Sequence, residues 1–203
     1  MSHIPHTGGL PHAQYERFES VRELEDMFDA LVGETQRVIR VFDRSLSARY
    51  DTLERCDLLR RFLRADALNE LLIVVHDPAN IASAMPRFAA LLQQFGHAAH
   101  VRQTPLWARH VHDPFTVFDA SHYLHRFHVD QMRFARGRND IAGAQTLLDR
   151  HQELWEASRP AAPATHPNPK MGVRRTRRLS PIRFTSRASM DGVATPVTET
   201  KNR

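Results

Sequence analysis

The chain has 203 residues, enough for one domain of ordinary size with a real core plus extensions, and too few for two well-packed domains. Its longest apolar run, Leu71–Val75, is far short of the about twenty residues of a membrane helix, and the opening Met1-Ser2-His3-Ile4-Pro5-His6 has neither a basic head nor an apolar stretch, so a soluble cytoplasmic protein is expected. The formal net charge of +5 divides unevenly: residues 1–157 hold 18 Arg and no Lys against 21 Asp plus Glu, whereas from Ser158 onward 8 Arg and 2 Lys face only Asp191 and Glu199, so the steering of anions belongs mainly to that last stretch.

Residues 1–12 contain Pro5, Pro11, Gly8 and Gly9 with little apolar content and read as a disordered leader whose His3, His6 and His12 are solvated. From Ala13 to Val32, Tyr15, Phe18, Val21, Leu24, Phe28 and Leu31 recur at steps of three and four, which predicts an amphipathic helix. Gln36–Phe42 is short and rich in β-branched and aromatic residues, a strand. Helical spacing returns over Asp51–Ala67, with Asp51 or Thr52 as its cap and the lone Cys56 as a small apolar core residue. Leu71–Val75, wholly apolar and stopped by Asp77-Pro78, predicts a strand covered on both faces. A helix through Met85, Phe88, Leu91, Leu92 and Phe95 and a strand over Ala98–Gln103 follow, and this alternation argues for an α/β layer architecture. Phe115–Phe118 and Tyr123–Phe127, separated by Asp119-Ala120-Ser121-His122, read as a hairpin, and Ile141, Ala144, Leu147, Leu148, Leu154 and Trp155 as a closing helix. The expectation is one α/β domain over residues 13–157, a mixed β-sheet flanked by helices, then a disordered basic tail, 158–203, where Pro160, Pro163, Pro167 and Pro169 end all periodicity.

The most informative pair is His112 and Asp119, which stand at the spacing of the phosphodiester-cleaving motif His-x-Lys-x4-Asp with Pro114 in place of the lysine. In that chemistry the imidazole attacks phosphorus, the lysine steadies the negative oxygens and the carboxylate orients or tunes an imidazole. Proline supplies no charge. The alternative reading of the pair is structural: His112 bonds a backbone group at a strand entrance and Asp119 starts a turn.

The order of elements, together with Val74-Val75-His76-Asp77-Pro78, His112–Asp119 and the helix Leu147–Glu156, resembles an uncharacterised bacterial family with the phospholipase-D-like fold, over about residues 25–157. The resemblance implies that an active member would carry Gly-Ser-x-x-Asn where this chain has Arg126-Phe127-His128-Val129-Asp130, and a second motif copy, which here requires a homodimer. It therefore implies a catalytically silent domain used as a binding or scaffold module. The alternative within the resemblance is a divergent phosphodiesterase or nuclease with His112 as nucleophile, Asp119 in support and Arg126 as replacement cation, because a guanidinium fork suits phosphate oxygens.

Outside the resemblance, Lys170, Arg174, Arg175, Arg177 and Arg178 form a cluster suited to nucleic-acid backbones or another acidic partner, without sequence specificity. His97, His100, His110, His112, His122, His125 and His128 crowd one stretch, but alternation on the hairpin divides His122 and His128 from His125. No metal and no cofactor are expected. His76-Asp77-Pro78 reads as a strand terminator near the sheet edge where ligands bind in α/β folds, and Trp107 and Trp155 as packed against the core or its rim.

Overall fold

A computed structural model describes residues 12–161. The leader before His12 and the cluster Lys170, Arg174, Arg175, Arg177 and Arg178 lie outside the described residues.

The order is β1 (Gln14–Phe18), α1 (Val21–Glu34), β2 (Val38–Asp43), α2 (Leu53–Ala65), β3 (Glu70–Val75), α3 (Ala79–Ala84), α4 (Pro86–Gln94), β4 (Ala99–Gln103), β5 (Phe115–Phe118), β6 (His122–Arg126), β7 (Phe134–Arg138), α5 (Ile141–Ala157) and β8 (Arg159–Pro160). The eight strands form one mixed sheet in the order β1-β7-β6-β5-β2-β3-β4-β8. β2, β3 and β4 run parallel, while every other neighbouring pair is antiparallel.

Period-two alternation divides the strands' apolar residues between two cores. One face sets Ile39, Val41, Leu71, Ile73 and Phe118 against Phe28 and Leu31 of α1, Leu59 of α2 and Phe88 of α4. The other sets Phe42, Val74, Phe115 and Val117 against Ala144, Leu147 and Leu154 of α5. Both faces of β3 are thus covered, which explains why its sequence is apolar without alternation. Helices α1, α2 and α5 start where side chains cap them: Ser20 accepts from Glu23 N at 3.2 Å, Thr52 from Arg55 N at 3.3 Å and Asp140 from Gly143 N at 3.0 Å. Arg55 of α2 is 1% exposed; its guanidinium bonds Glu25 at 2.5 Å and Asp29 at 2.7 Å and lies over the Phe28 ring at 4.3 Å, tying α2 to α1.

Three elements differ from the sequence reading. Gln14–Phe18 is a strand rather than the first turns of a helix, because β7 supplies a ladder for it and Ser20 starts the helix afresh. β7 itself had no signal of its own. The sheet also extends past the expected boundary at Ala157: Arg159 and Pro160 pair with β4 and Ala161 N donates to Val101 O at 2.9 Å, while just before that boundary the carbonyl of Trp155 accepts from Arg102 at 2.9 Å. Among the described residues, no helix is long and apolar enough to cross a membrane.

Candidate functional site at the carboxyl ends of the parallel strands

Asp119 follows β5 in the left-handed backbone region, φ 52°, which aspartate tolerates better than most residues. That turn aims its carboxylate at the start of β2, where Oδ1 accepts from Arg37 N at 2.8 Å and Val38 N at 3.0 Å, and Oδ2 from Gln36 N at 3.0 Å. His112 lies at the other end of β5, exposed, with its carbonyl accepting from Val129 N at 2.7 Å and its ring 5.7 Å from that of His128. The four residues of β5 hold the two ends apart by about 10 Å or more. The two side chains share no site.

Arg126 is placed otherwise. Its N–H donates to the carbonyl of Pro114 at 2.8 Å, its Nε to the carbonyls of His128 and Gln131, both at 3.1 Å, and its guanidinium lies 5.6 Å from the centre of the Phe134 ring. Because Phe42 faces Phe115 in the β2–β5 ladder, Asp43 falls beside Pro114. Asp43, Pro114 and Arg126 thereby form one row across three strands, Arg126 meeting the proline through its main chain.

That row opens into a cleft of about 480 Å³ lined by Asp43, Arg44, Ser45, Ser47, Asp77, Arg126 and Val129. Asp43, Ser47 and Arg126 also reach a second crevice, walled by Phe28, Tyr50 and Pro114. Burial pushes the Asp43 carboxyl up to about 6, against the opposing pull of the Arg44 N–H at 2.6 Å and the charge of Arg126. A carboxyl that changes charge near neutrality beside a guanidinium can bind or exchange a proton with a polar ligand. No motif in the sequence marks Asp43. The available signal was its position at the end of a predicted strand, where α/β sheets gather ligands.

His76, one step beyond β3, is committed elsewhere. Val111 O can only accept, so Nε2 carries the proton and donates to it at 2.8 Å, leaving Nδ1 to accept from the Thr104 hydroxyl at 2.7 Å. Burial holds this imidazole below its usual range. Asp77 ends the strand, accepting from Ala79 N at 3.0 Å, and its side chain lines the cleft as well. The remaining histidines disperse: His122 Nδ1 accepts from Asn139 N, His128 Nδ1 from Asp130 N, and His125 meets Asp113, which Arg150 grips at 2.5 and 2.8 Å. Burial raises the Asp113 carboxyl, but His125 and Arg150 outweigh it and hold the group below the usual range. Among the described residues, no group of three or more His, Cys, Asp and Glu side chains is arranged to hold a metal ion. Trp155 is half-buried beneath Arg102, 4.4 Å from its ring, whereas Trp107 is 65% exposed instead of packed on the rim.

The chain has a phospholipase-D-like fold. Solved structures similar to it include TrmBL2, an archaeal chromatin protein, at 9% identity and a TM-score of 0.52, covering 73% of this chain and 54% of that one. Phosphatidylserine synthase of Haemophilus influenzae Rd KW20 is similar at 10% identity and a TM-score of 0.50, covering 75% of this chain and 41% of that one. Nuc from Salmonella typhimurium, a phospholipase D family member, is 15% identical with a TM-score of 0.49, covering 74% of this chain and 97% of that one. At these identities the likeness is one of fold. No curated protein matches the chain in sequence. A family model described as "Domain of unknown function (DUF7931)" matches residues 20–164.

Proposed function

We propose, for a chain that belongs to the DUF7931 family, a binding or scaffold role on a phospholipase-D-like framework without phosphodiester turnover. The observation that carries this reading is the fate of Asp119: its carboxylate is occupied by three main-chain N–H groups at the end of β5 away from His112, and Pro114 supplies no cation. The ligand of this module is polar and binds in the cleft around Asp43 and Arg126. The test is hydrolysis of bis(p-nitrophenyl) phosphate by the homogeneous full-length chain. The rate should equal that of His112→Ala; a wild-type rate well above that variant's, with a phosphohistidine trapped on His112, overturns the proposal in favour of the divergent phosphodiesterase.

The charge distribution favours a second role beside it. The residues from Ser158 onward hold 10 of the 28 basic side chains and only 2 of the 23 acidic ones, which suits phosphate backbones in a salt-dependent manner. On this reading the domain is a cytoplasmic platform for nucleic-acid binding by Lys170, Arg174, Arg175, Arg177 and Arg178. Binding to a mixed-sequence duplex that persists in a chain cut after Ala161 sinks it.

A further inference from the structure

We propose that the 3₁₀ turn Leu106–His110 is a wedge that seats this molecule on an anionic phospholipid surface. Leu106 and Trp107, adjacent in sequence, are 78% and 65% exposed. Isolated apolar residues are ordinary on a protein surface, but a leucine and a tryptophan side by side at the tip of one turn form a patch without a partner.

The tip is exposed while its base is fixed. Ala108 is fully buried, its N–H donates to Pro105 O at 3.1 Å, and Val111 N–H donates to Ala108 O at 3.1 Å. Thr104 N–H, just before the turn, donates to Val75 O at 2.9 Å. His76 bridges the two ends, joining the Thr104 hydroxyl on one side to the Val111 carbonyl on the other. The two apolar tips are therefore held in place before docking, and little ordering entropy is lost when they are covered.

Charge chooses the partner. Arg109 and Arg159 line a hollow with Leu106, and both are exposed. Among the described residues neither is in an ion pair, Arg159 reaching only Gln103 Oε1 at 3.5 Å. Two side chains cover far less than the about 800 Å² per partner of a stable protein interface. A bilayer needs no such area: an indole sits at headgroup depth, a leucine reaches below it, and free guanidinium groups pair with phosphates.

The experiment uses the full-length chain with Trp155→Phe, so that Trp107 is the one remaining tryptophan. Vesicles of phosphatidylcholine mixed with phosphatidylglycerol should shift Trp107 emission to the blue, and brominated acyl chains should quench it. Sedimentation with the same vesicles should fall at least about tenfold in the double variant Leu106→Ser, Trp107→Ser. Both positions are exposed, so an unchanged urea midpoint keeps that comparison a test of docking. Unshifted emission overturns the proposal, as does equal sedimentation of the double variant, which would assign all binding to basic residues elsewhere, or equal sedimentation on phosphatidylcholine alone.

Discussion

A carboxylate that accepts three main-chain N–H groups has little capacity left to orient an imidazole, and Asp119 is in that position. Its positive φ gives a graded prediction. Asp119→Asn keeps the backbone preference and one acceptor and should cost about 1 kcal/mol; Asp119→Ala loses all acceptors and strains the turn, costing about 2–3 kcal/mol, with Asp119→Gly between them in urea unfolding. A catalytic aspartate would reverse the pattern, losing activity and no stability in the Asn variant. Asp43 gives a pH-dependent one. Its folded value of about 6 lies above the ordinary aspartate value of 3.8, so the native state holds its proton more tightly than the unfolded chain. The group's contribution therefore becomes unfavourable as pH rises through that window and stays so above it. Asp43→Asn should stabilise by about 2 kcal/mol at pH 7 and by nothing at pH 3.5, as read from urea midpoints across pH. Spacing made His112 and Asp119 conspicuous in the sequence, and the strand read between them set one at its entrance and the other at its turn. The N–H groups of Gln36, Arg37 and Val38 that occupy Asp119 were not legible, because only strand pairing brings them near. Asp43 was inconspicuous because its surroundings come from Pro114 and Arg126, residues about 70 and 80 positions away that only strand order brings near.

At the level of elements, close packing of β6 on β7 sets the entry of α5. A Cβ on Gly137 would stand 2.1 Å from the Tyr123 ring, and that ring's hydroxyl donates to Asp140, the cap of α5, at 2.8 Å. Gly137→Ala must displace the tyrosine and break this bond. It should lower stability by about 2–3 kcal/mol in urea unfolding, whereas Gly33→Ala, inside α1 with nothing within 4 Å of the added carbon, should raise it by about 0.5 kcal/mol. The elements legible in sequence were those whose burial pattern repeats: the stripe Leu24, Phe28, Leu31 of α1, the continuous run of β3, the stripe of α5. β1 was hidden because Tyr15 and Phe18 extend the helical spacing of α1 backwards, although only Phe18 of that strand is buried. β7, Phe134-Ala135-Arg136-Gly137-Arg138, has no β-branched residue, and its strand state is imposed by partners on both sides.

For the whole molecule, the two residues of β8 extend the sheet along the β4 edge. A chain cut after Ala161 keeps the Ser158 hydroxyl on Leu154 O at 2.6 Å and the Ser158 carbonyl that Arg102 reaches at 3.4 Å, whereas one cut after Ala157 loses both and keeps only the bond from Arg102 to Trp155 O. The shorter form should unfold about 1–2 kcal/mol more easily than the longer; equal urea midpoints would show that β8 is ornamental. The opposite edge has a temporal consequence. Gln14–Phe18 can complete its ladder only with Phe134–Arg138, and the Arg136–Glu16 pair that joins them spans 120 positions. At the usual pace of ribosomes, on the order of ten residues per second, the first strand emerges on the order of ten seconds before its mate exists. For that interval an unmatched backbone edge is shielded mainly by its own Glu16 and Arg17, charged residues of the kind that discourage association between nascent chains.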